Sequence, residues 1–252
     1  MIDPYCGAAP LPAELLSRWN FDPVLLAMLA GGVALHLGAL RREPAAQGRI
    51  LAAAAGWTLL FMIFVSPLCA LTSALFSARV AHHAVLVAMA APLLAWSLPR
   101  RLAPASPSGA SGAAAFVVHM VLLWLWHAPA PYAAALADPA MFWVMELSLL
   151  GSAIWLWRAV LAPAARLGAT LALLLGQVVQ MGLLGAVITF ARTPLYEAHL
   201  GVTAPWGLTA LQDQQLAGLI MWVPASIPYL AAALALLASR LDRPVTADEA
   251  VR

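Results

Sequence analysis

Long runs of apolar residues, separated by short segments containing Arg, Pro, Gly or Asp, repeat along the whole chain. Most of these runs last roughly 17 to 25 residues, which as a helix is enough to cross the hydrocarbon core of a bilayer. The pattern therefore predicts seven transmembrane helices, placed at Pro23–Leu40, Ile50–Ser66, Val80–Leu98, Ala113–His127, Ala140–Trp157, Leu167–Ala191 and Leu216–Ser239.

Composition supports this prediction. Of 252 residues, 63% are hydrophobic and 10% are charged, whereas a soluble domain carries about 25% charged residues. We expect an all-α polytopic membrane protein with one transmembrane domain over residues 1–252, comprising an outer segment (1–22), seven spans (23–239) and a cytoplasmic tail (240–252). Nucleic-acid binders and ordinary soluble enzymes are excluded. A retinal protein is excluded as well, because the chain has no lysine to form the Schiff base.

The arginines are distributed unevenly between the two sides of the predicted bundle. Ten lie in or beside the loops that join spans 1–2, 3–4 and 5–6 or in the tail, and only Arg18, Arg79 and Arg192 lie on the other side. Basic loops stay in the cytoplasm. We therefore predict that the N-terminus is outside and the C-terminus is in the cytoplasm.

With this orientation, many of the polar residues collect at the outer ends of the spans. His82 and His83 begin span 3 and His127 closes span 4, while His199, Asp213 and Gln214 precede span 7. His119 and Glu146 lie about two helical turns deeper. An ionisable residue inside a span is costly unless it faces the bundle interior or water, which makes Glu146 and His119 functional candidates.

Imidazole, thioether and thiolate groups together suit copper, and thiolates and thioethers favour Cu(I). A simpler interpretation exists for each residue taken alone. A histidine at the membrane interface can be an ordinary amphipathic side chain. The methionines at similar depth, which are Met89, Met145, Met181 and Met221, can be packing residues. Cys6 and Cys69 are too few for a disulfide framework and lack zinc-site spacing. The joint placement of His83, His127 and Asp213 favours a metal site.

Three segments resemble one known family. They are HHAVLVAMAAPLL at 82–94, WLWHAP at 124–129 followed by Tyr132, and DQQLAGLIMWVP at 213–224. All three, in this order, are similar to the multi-span CtaG-type cytochrome c oxidase assembly factors. The resemblance covers the chain from span 1 to span 7.

The resemblance implies a role in maturing a haem–copper oxidase in the bacterial inner membrane, at the copper step. The positions of this chain that match the family's motifs, and to which the resemblance assigns functional importance, are His83, His127, Pro129, Tyr132, Asp213, Gln214 and Trp222. This chain departs from the family pattern at Arg79, Ala133 and Leu147, and each departure removes a possible ligand.

We therefore predict a non-enzymatic assembly factor that handles copper at its outer face. Its partners would be cytochrome c oxidase subunits, a periplasmic copper chaperone and membrane lipid, and no nucleic acid. The metal candidates are His83, His127, Asp213, His82 and His119, and the other functional candidates are Glu146, Tyr132, Gln214, Met221 and Trp222. Three alternatives remain open at this point: a copper or small-solute transporter, a haem-binding redox protein, and a scaffold without metal.

Overall fold

The computed structural model describes residues 4–43, 47–99, 109–163 and 165–241. It is 81% helical, and these residues form no strand. The helices are α1 (Pro23–Leu40), α2 (Gln47–Val65), α3 (Pro67–Ala74), α4 (Phe76–Ala84), α5 (Ala91–Ser97), α6 (Gly109–His127), α7 (Pro129–Ala137), α8 (Pro139–Val160), α9 (Leu167–Phe190), α10 (Ala210–Trp222) and α11 (Ile227–Leu241). The predicted all-α membrane class is confirmed.

Within the described residues, six continuous helical stretches are long and apolar enough to cross a membrane, and two of them, Phe76–Ser97 and Ala210–Ser239, join several of these helices. A seventh span results if α6 and α7 are counted together. This pair bends by 74°. The bend lies at Ala128, which is extended (φ −74°, ψ 140°), because the ring of the following Pro129 disfavours helical geometry at the preceding residue. Most of the predicted tail, residues 242–252, lies outside the described residues.

The span Phe76–Ser97 lies at the centre of the bundle. It is the most buried candidate span, since 61% of the residues in its 18-residue apolar stretch are buried. It combines α4, a π-helical segment at Val85–Ala90, and α5, and it contacts α2, α8 and α10. By contrast, α1 is at the periphery and packs on α2.

The π-helical segment leaves one carbonyl without a backbone partner. The Ala91 N–H donates to the Leu86 carbonyl, so in this register the Val87 carbonyl would need an N–H from Pro92, which has none. The Trp157 indole N–H donates to that carbonyl instead, at 2.9 Å. A side chain from α8 thus replaces the missing backbone hydrogen bond and fixes α8 against the central span.

Several segments meet at one end of the bundle, which we call the disulfide end (residues 4–22, 66–75, 128–138 and 191–209). Cys6 and Cys69 form a disulfide there, with their Cα atoms 5.2 Å apart. Asn20 N–H donates to the Val65 carbonyl at 2.9 Å. The Trp206 indole donates to the Pro10 carbonyl at 3.2 Å. These contacts hold the N-terminal segment against the bundle.

Helices α9 and α10 cross at two glycines. A Cβ atom on Gly218 would lie 2.5 Å from the Gly185 carbonyl oxygen and 2.8 Å from the Thr189 backbone nitrogen, and would overlap the Thr189 hydroxyl. Small residues of this kind let two backbones approach closely in a membrane protein. The separation of these two helices therefore depends on the absence of a side chain at Gly218.

Gly218→Ala is expected to lower the free energy of unfolding by about 3 kcal/mol or more, because the added methyl meets backbone atoms that cannot move away. Thermal unfolding in detergent micelles measures the effect. Gly151→Ala is the control, since nothing lies within 4 Å of a Cβ at that position. Equal melting temperatures for the two variants would contradict the close crossing.

Candidate functional site

A buried cluster of ionisable side chains lies between the central span and α8. The Glu146 carboxylate accepts a hydrogen bond from Arg79 Nη1 at 3.3 Å. It also lies 3.3 Å from His83 Nε2 and 3.4 Å from His82 Nε2. All four residues are at most 4% exposed. A carboxylate in this apolar interior is stabilised by the permanently charged guanidinium beside it.

The position of Arg79 corrects the prediction from sequence, which put this residue in an outer loop. Helix α4 begins at Phe76, earlier than predicted, so Arg79 lies inside the span and is 1% exposed. Its guanidinium also lies 5.2 Å from the centre of the Phe142 ring, an attractive cation–π geometry. Arg79 is therefore the counter-ion of Glu146.

The imidazole rings of His83, on α4, and His127, on α6, face each other inside the bundle. Nδ1 of His83 lies 3.5 Å from Nε2 of His127. On the far side of each ring there is a different partner: Nε2 of His83 faces Glu146, and Nδ1 of His127 lies 2.7 Å from the Leu123 carbonyl. Both imidazoles line a small cavity between the spans.

These outer partners fix which nitrogens carry protons. A carbonyl and a carboxylate can only accept, so His127 donates from Nδ1 and His83 donates from Nε2. In the neutral rings, the two nitrogens that face each other are therefore both unprotonated. Two lone pairs at 3.5 Å repel unless a proton or a metal ion lies between them.

An aromatic layer lies beside this pair at the disulfide end. The Tyr196 hydroxyl donates to the His127 carbonyl at 2.7 Å, and the Tyr196 ring stacks on Phe76 at 3.7 Å. Tyr132 donates to His199 Nε2 at 2.6 Å, while His199 Nδ1 donates to the Ala74 carbonyl at 3.2 Å. The layer joins α3, α4, α7 and the segment before α10, and it covers the His127 end of the cluster.

Asp213 and Gln214 lie in the first turns of α10, not before the span as predicted. Thr209 and Gln212 form a capping box that starts the helix earlier. The Asp213 carboxylate accepts from the backbone N–H groups of Phe76 (2.7 Å) and Ser77 (3.2 Å) and from the Ser77 hydroxyl. Asp213 therefore caps α4 from a different helix.

Gln214 and Trp222 also have identifiable contacts. The Gln214 side chain accepts from Leu195 N–H at 2.6 Å and donates to the Ile188 carbonyl at 3.2 Å, which ties the segment after α9 to α10. Trp222 is 43% exposed on the outside of the bundle. Its ring centre lies 6.5 Å from that of Phe190.

His119 lies apart from the cluster, between α6 and α8. Its Nδ1 is 2.9 Å from Ser152 Oγ. Since that hydroxyl donates its proton to the Leu149 carbonyl, His119 must donate from Nδ1. Its Nε2 is then unprotonated, has no hydrogen-bond partner and is fully buried.

Met221, another predicted functional residue, lines the small cavity that His83 and His127 also line.

Of the residues predicted to bind metal, the structure brings His82 and His83 to Glu146 and brings His127 to His83, and it does not bring Asp213 or His119 to them. Across the described part of the chain, no group of three or more His, Cys, Asp or Glu side chains is placed to hold a metal ion. A site that uses His83 and His127 therefore needs ligands of another kind, and their role in metal binding stays a prediction.

Sequence reasoning missed two features at this end, the Cys6–Cys69 disulfide and the link between Arg79 and Glu146. Two lone cysteines 63 residues apart carry no spacing signal. Their predicted location on one side of the membrane was the only available indication. For Arg79, the informative signal was an unpaired acidic residue in a predicted span, since such a residue requires a basic partner.

Comparison with known proteins identifies one family. The family model described as cytochrome c oxidase caa3 assembly factor matches residues 31–242. This range includes α4 to α10 and every residue of the cluster. No curated protein and no solved structure matches the chain.

Asp213→Ala is expected to lower the free energy of unfolding by about 2–4 kcal/mol, because two buried backbone N–H groups lose their acceptor. Thermal unfolding in detergent measures the effect. Asp138→Ala is the matched control: Asp138 caps α8 from an exposed position, and its loss should cost about 1 kcal/mol. A smaller effect at Asp213 than at Asp138 would disprove the capping role.

The stability of the fold is expected to depend on pH through His199, which lies outside the spans. Burial lowers the pKa of His199 to about 4, compared with about 6.5 for an exposed histidine. Between these two values the unfolded chain binds more protons, so the free energy of unfolding falls as the pH is lowered, by up to about 1.4 kcal/mol per pH unit. Unfolding measured between pH 7 and pH 4.5 should show a shallower slope for His199→Gln. Identical slopes would refute this assignment.

Proposed function

The chain belongs to the family of cytochrome c oxidase caa3 assembly factors, and from that premise we propose that it assists the copper step of oxidase maturation. In this proposal, His83 and His127 hold the ion as cargo. The protein acts without catalysing a reaction, in the bacterial inner membrane. Its partners are oxidase subunits, and a periplasmic copper chaperone would supply the metal.

The observation that supports this proposal is that His83 Nδ1 and His127 Nε2 face each other at 3.5 Å, while the other nitrogen of each ring faces a hydrogen-bond acceptor. Bonds from imidazole nitrogen to a metal are about 2.0 Å long. Two such bonds span up to about 4 Å, so an ion between the rings would have a bent geometry with room for further ligands. Copper is a common partner for imidazole nitrogen.

Glu146 supports the pair without touching the ion. Its carboxylate accepts from His83 Nε2 at 3.3 Å, which turns the lone pair of His83 toward His127. A metal-bound histidine commonly donates its other N–H to a carboxylate or carbonyl, and such partners orient the ring. The Leu123 carbonyl does the same for His127. Both rings are therefore held ready for an ion before it arrives.

Two observations support placing the disulfide end on the periplasmic side. Disulfides persist in oxidising compartments such as the periplasm, and Cys6 and Cys69 are paired at this end. Most of the arginines belong to the opposite end in the sequence, as cytoplasmic loops require. The His pair would then be nearer the compartment in which a copper chaperone operates.

The double variant His83→Ala/His127→Ala is expected to lower the copper-to-haem ratio of the oxidase several-fold in cells grown with limiting copper. The measurement is metal analysis of the oxidase purified from a strain whose only copy of this factor is the variant. Added copper should restore part of the ratio, because the loss affects delivery and not the oxidase itself.

His36→Gln is the matched control, since His36 lies at the other end of the bundle, bonded to the Ser97 carbonyl. Immunoblots of the membranes establish that all variants accumulate equally. A full complement of copper in the oxidase from the double variant would rule out the proposed role of the His pair.

A further inference from the structure

Four side chains that carry metal-binding atoms line a single buried cavity. They are His83, His127, Met181 and Met221, from α4, α6, α9 and α10. Each is 2–3% exposed. The rest of the lining is apolar: Val80, Ala84, Val87, Leu123 and Ala225. The cavity has a volume of about 10 Å³, which is close to the space that one water molecule needs.

The crossing of α9 and α10 at Gly185 and Gly218 explains why both methionines reach the cavity. Met181 precedes Gly185 by four residues, and Met221 follows Gly218 by three. Residues three or four apart share one face of a helix. Both methionines therefore lie on the faces that the two helices present to each other at their closest approach, and both reach the cavity.

The donor set of this cavity has a distinct chemical character. It contains two neutral imidazole nitrogens and two thioethers, while Glu146 lies beyond His83 and does not line the cavity. Thioether ligands select Cu(I), whereas carboxylates and water suit harder ions. Burial of a charge in an apolar environment becomes more costly as the charge increases, which also favours a monovalent ion.

We propose that Met181 and Met221 complete a four-ligand site with His83 and His127, and that this site is selective for Cu(I). The inference rests on the proposed function, in which the His pair holds copper, and extends it to the oxidation state and the remaining ligands. Since the two ligating nitrogens are already unprotonated, binding requires neither proton release nor a change in the oxidation state of the ion.

The competing explanation is that the two methionines only fill space, as methionine often does in a core. Met145 allows this to be tested. It is as deeply buried, at 1% exposure, and lies on α8, but it does not line the cavity. A substitution to leucine at any of the three positions roughly preserves volume. Only a substitution that removes a ligand should change metal binding.

The test is an anaerobic competition titration of the full-length protein in detergent, with Cu(I) and a chelator of known affinity. Met181→Leu/Met221→Leu should weaken Cu(I) binding about tenfold or more, which corresponds to a loss of at least about 1.4 kcal/mol. Met145→Leu should bind as the wild type does. A parallel titration with Zn²⁺ should give weak binding that the methionine substitutions leave unchanged.

X-ray absorption of the Cu(I)-loaded protein provides a second readout, and its result for the wild type depends on no variant. It should show both nitrogen and sulfur neighbours, and the sulfur contribution should disappear in Met181→Leu/Met221→Leu. Unchanged affinity in this variant together with nitrogen neighbours alone would overturn the inference and leave the His-pair proposal standing. If the wild type bound no Cu(I), or if His83→Ala/His127→Ala bound it normally, the proposed function would fail with the inference.

Discussion

A carboxylate inside a membrane bundle must be balanced by a positive charge or by hydrogen-bond donors, and the interior of this protein is organised around that requirement at Glu146. Arg79 supplies the charge at 3.3 Å, and His82 and His83 approach from the same helix. Because His83 donates to the carboxylate, its other nitrogen is turned toward His127. The orientation of the proposed copper ligands thus follows from the neutralisation of one buried charge.

Backbone N–H and C=O groups in the spans also need hydrogen-bond partners. Side chains from neighbouring helices supply the donors and acceptors that the local backbone lacks. Asp213 caps α4, and Trp157 bonds the carbonyl that Pro92 leaves free. Several residues of the family-like segments therefore act by positioning helices: Asp213 and Pro92 shape the central span, and Pro129 bends the chain after His127. The proposed copper ligands are a few residues that those helices bring together.

The apolar runs predicted the all-α membrane class and the six or seven candidate spans, since each crossing requires one continuous hydrophobic segment, but they placed the starts of the third and seventh spans too late. The convergence of His83, His127 and Glu146 was not predictable, because the order of helices around the bundle depends on contacts such as the Gly185–Gly218 crossing that leave no periodic signal. Arg79 was assigned to a loop because arginines were used to bound the apolar runs, whereas in the structure it lies inside a span, where Glu146 neutralises it. The pairing of Cys6 with Cys69 required the folded position of the N-terminal segment.

In the proposed site, a copper ion binds between His83 and His127. Anomalous scattering from crystals of the protein loaded with Cu(I), recorded above and below the copper absorption edge, tests it most directly. One peak is expected within bonding distance of His83 Nδ1 and His127 Nε2. A peak located elsewhere, for example at His119, with the His pair unchanged, would contradict it.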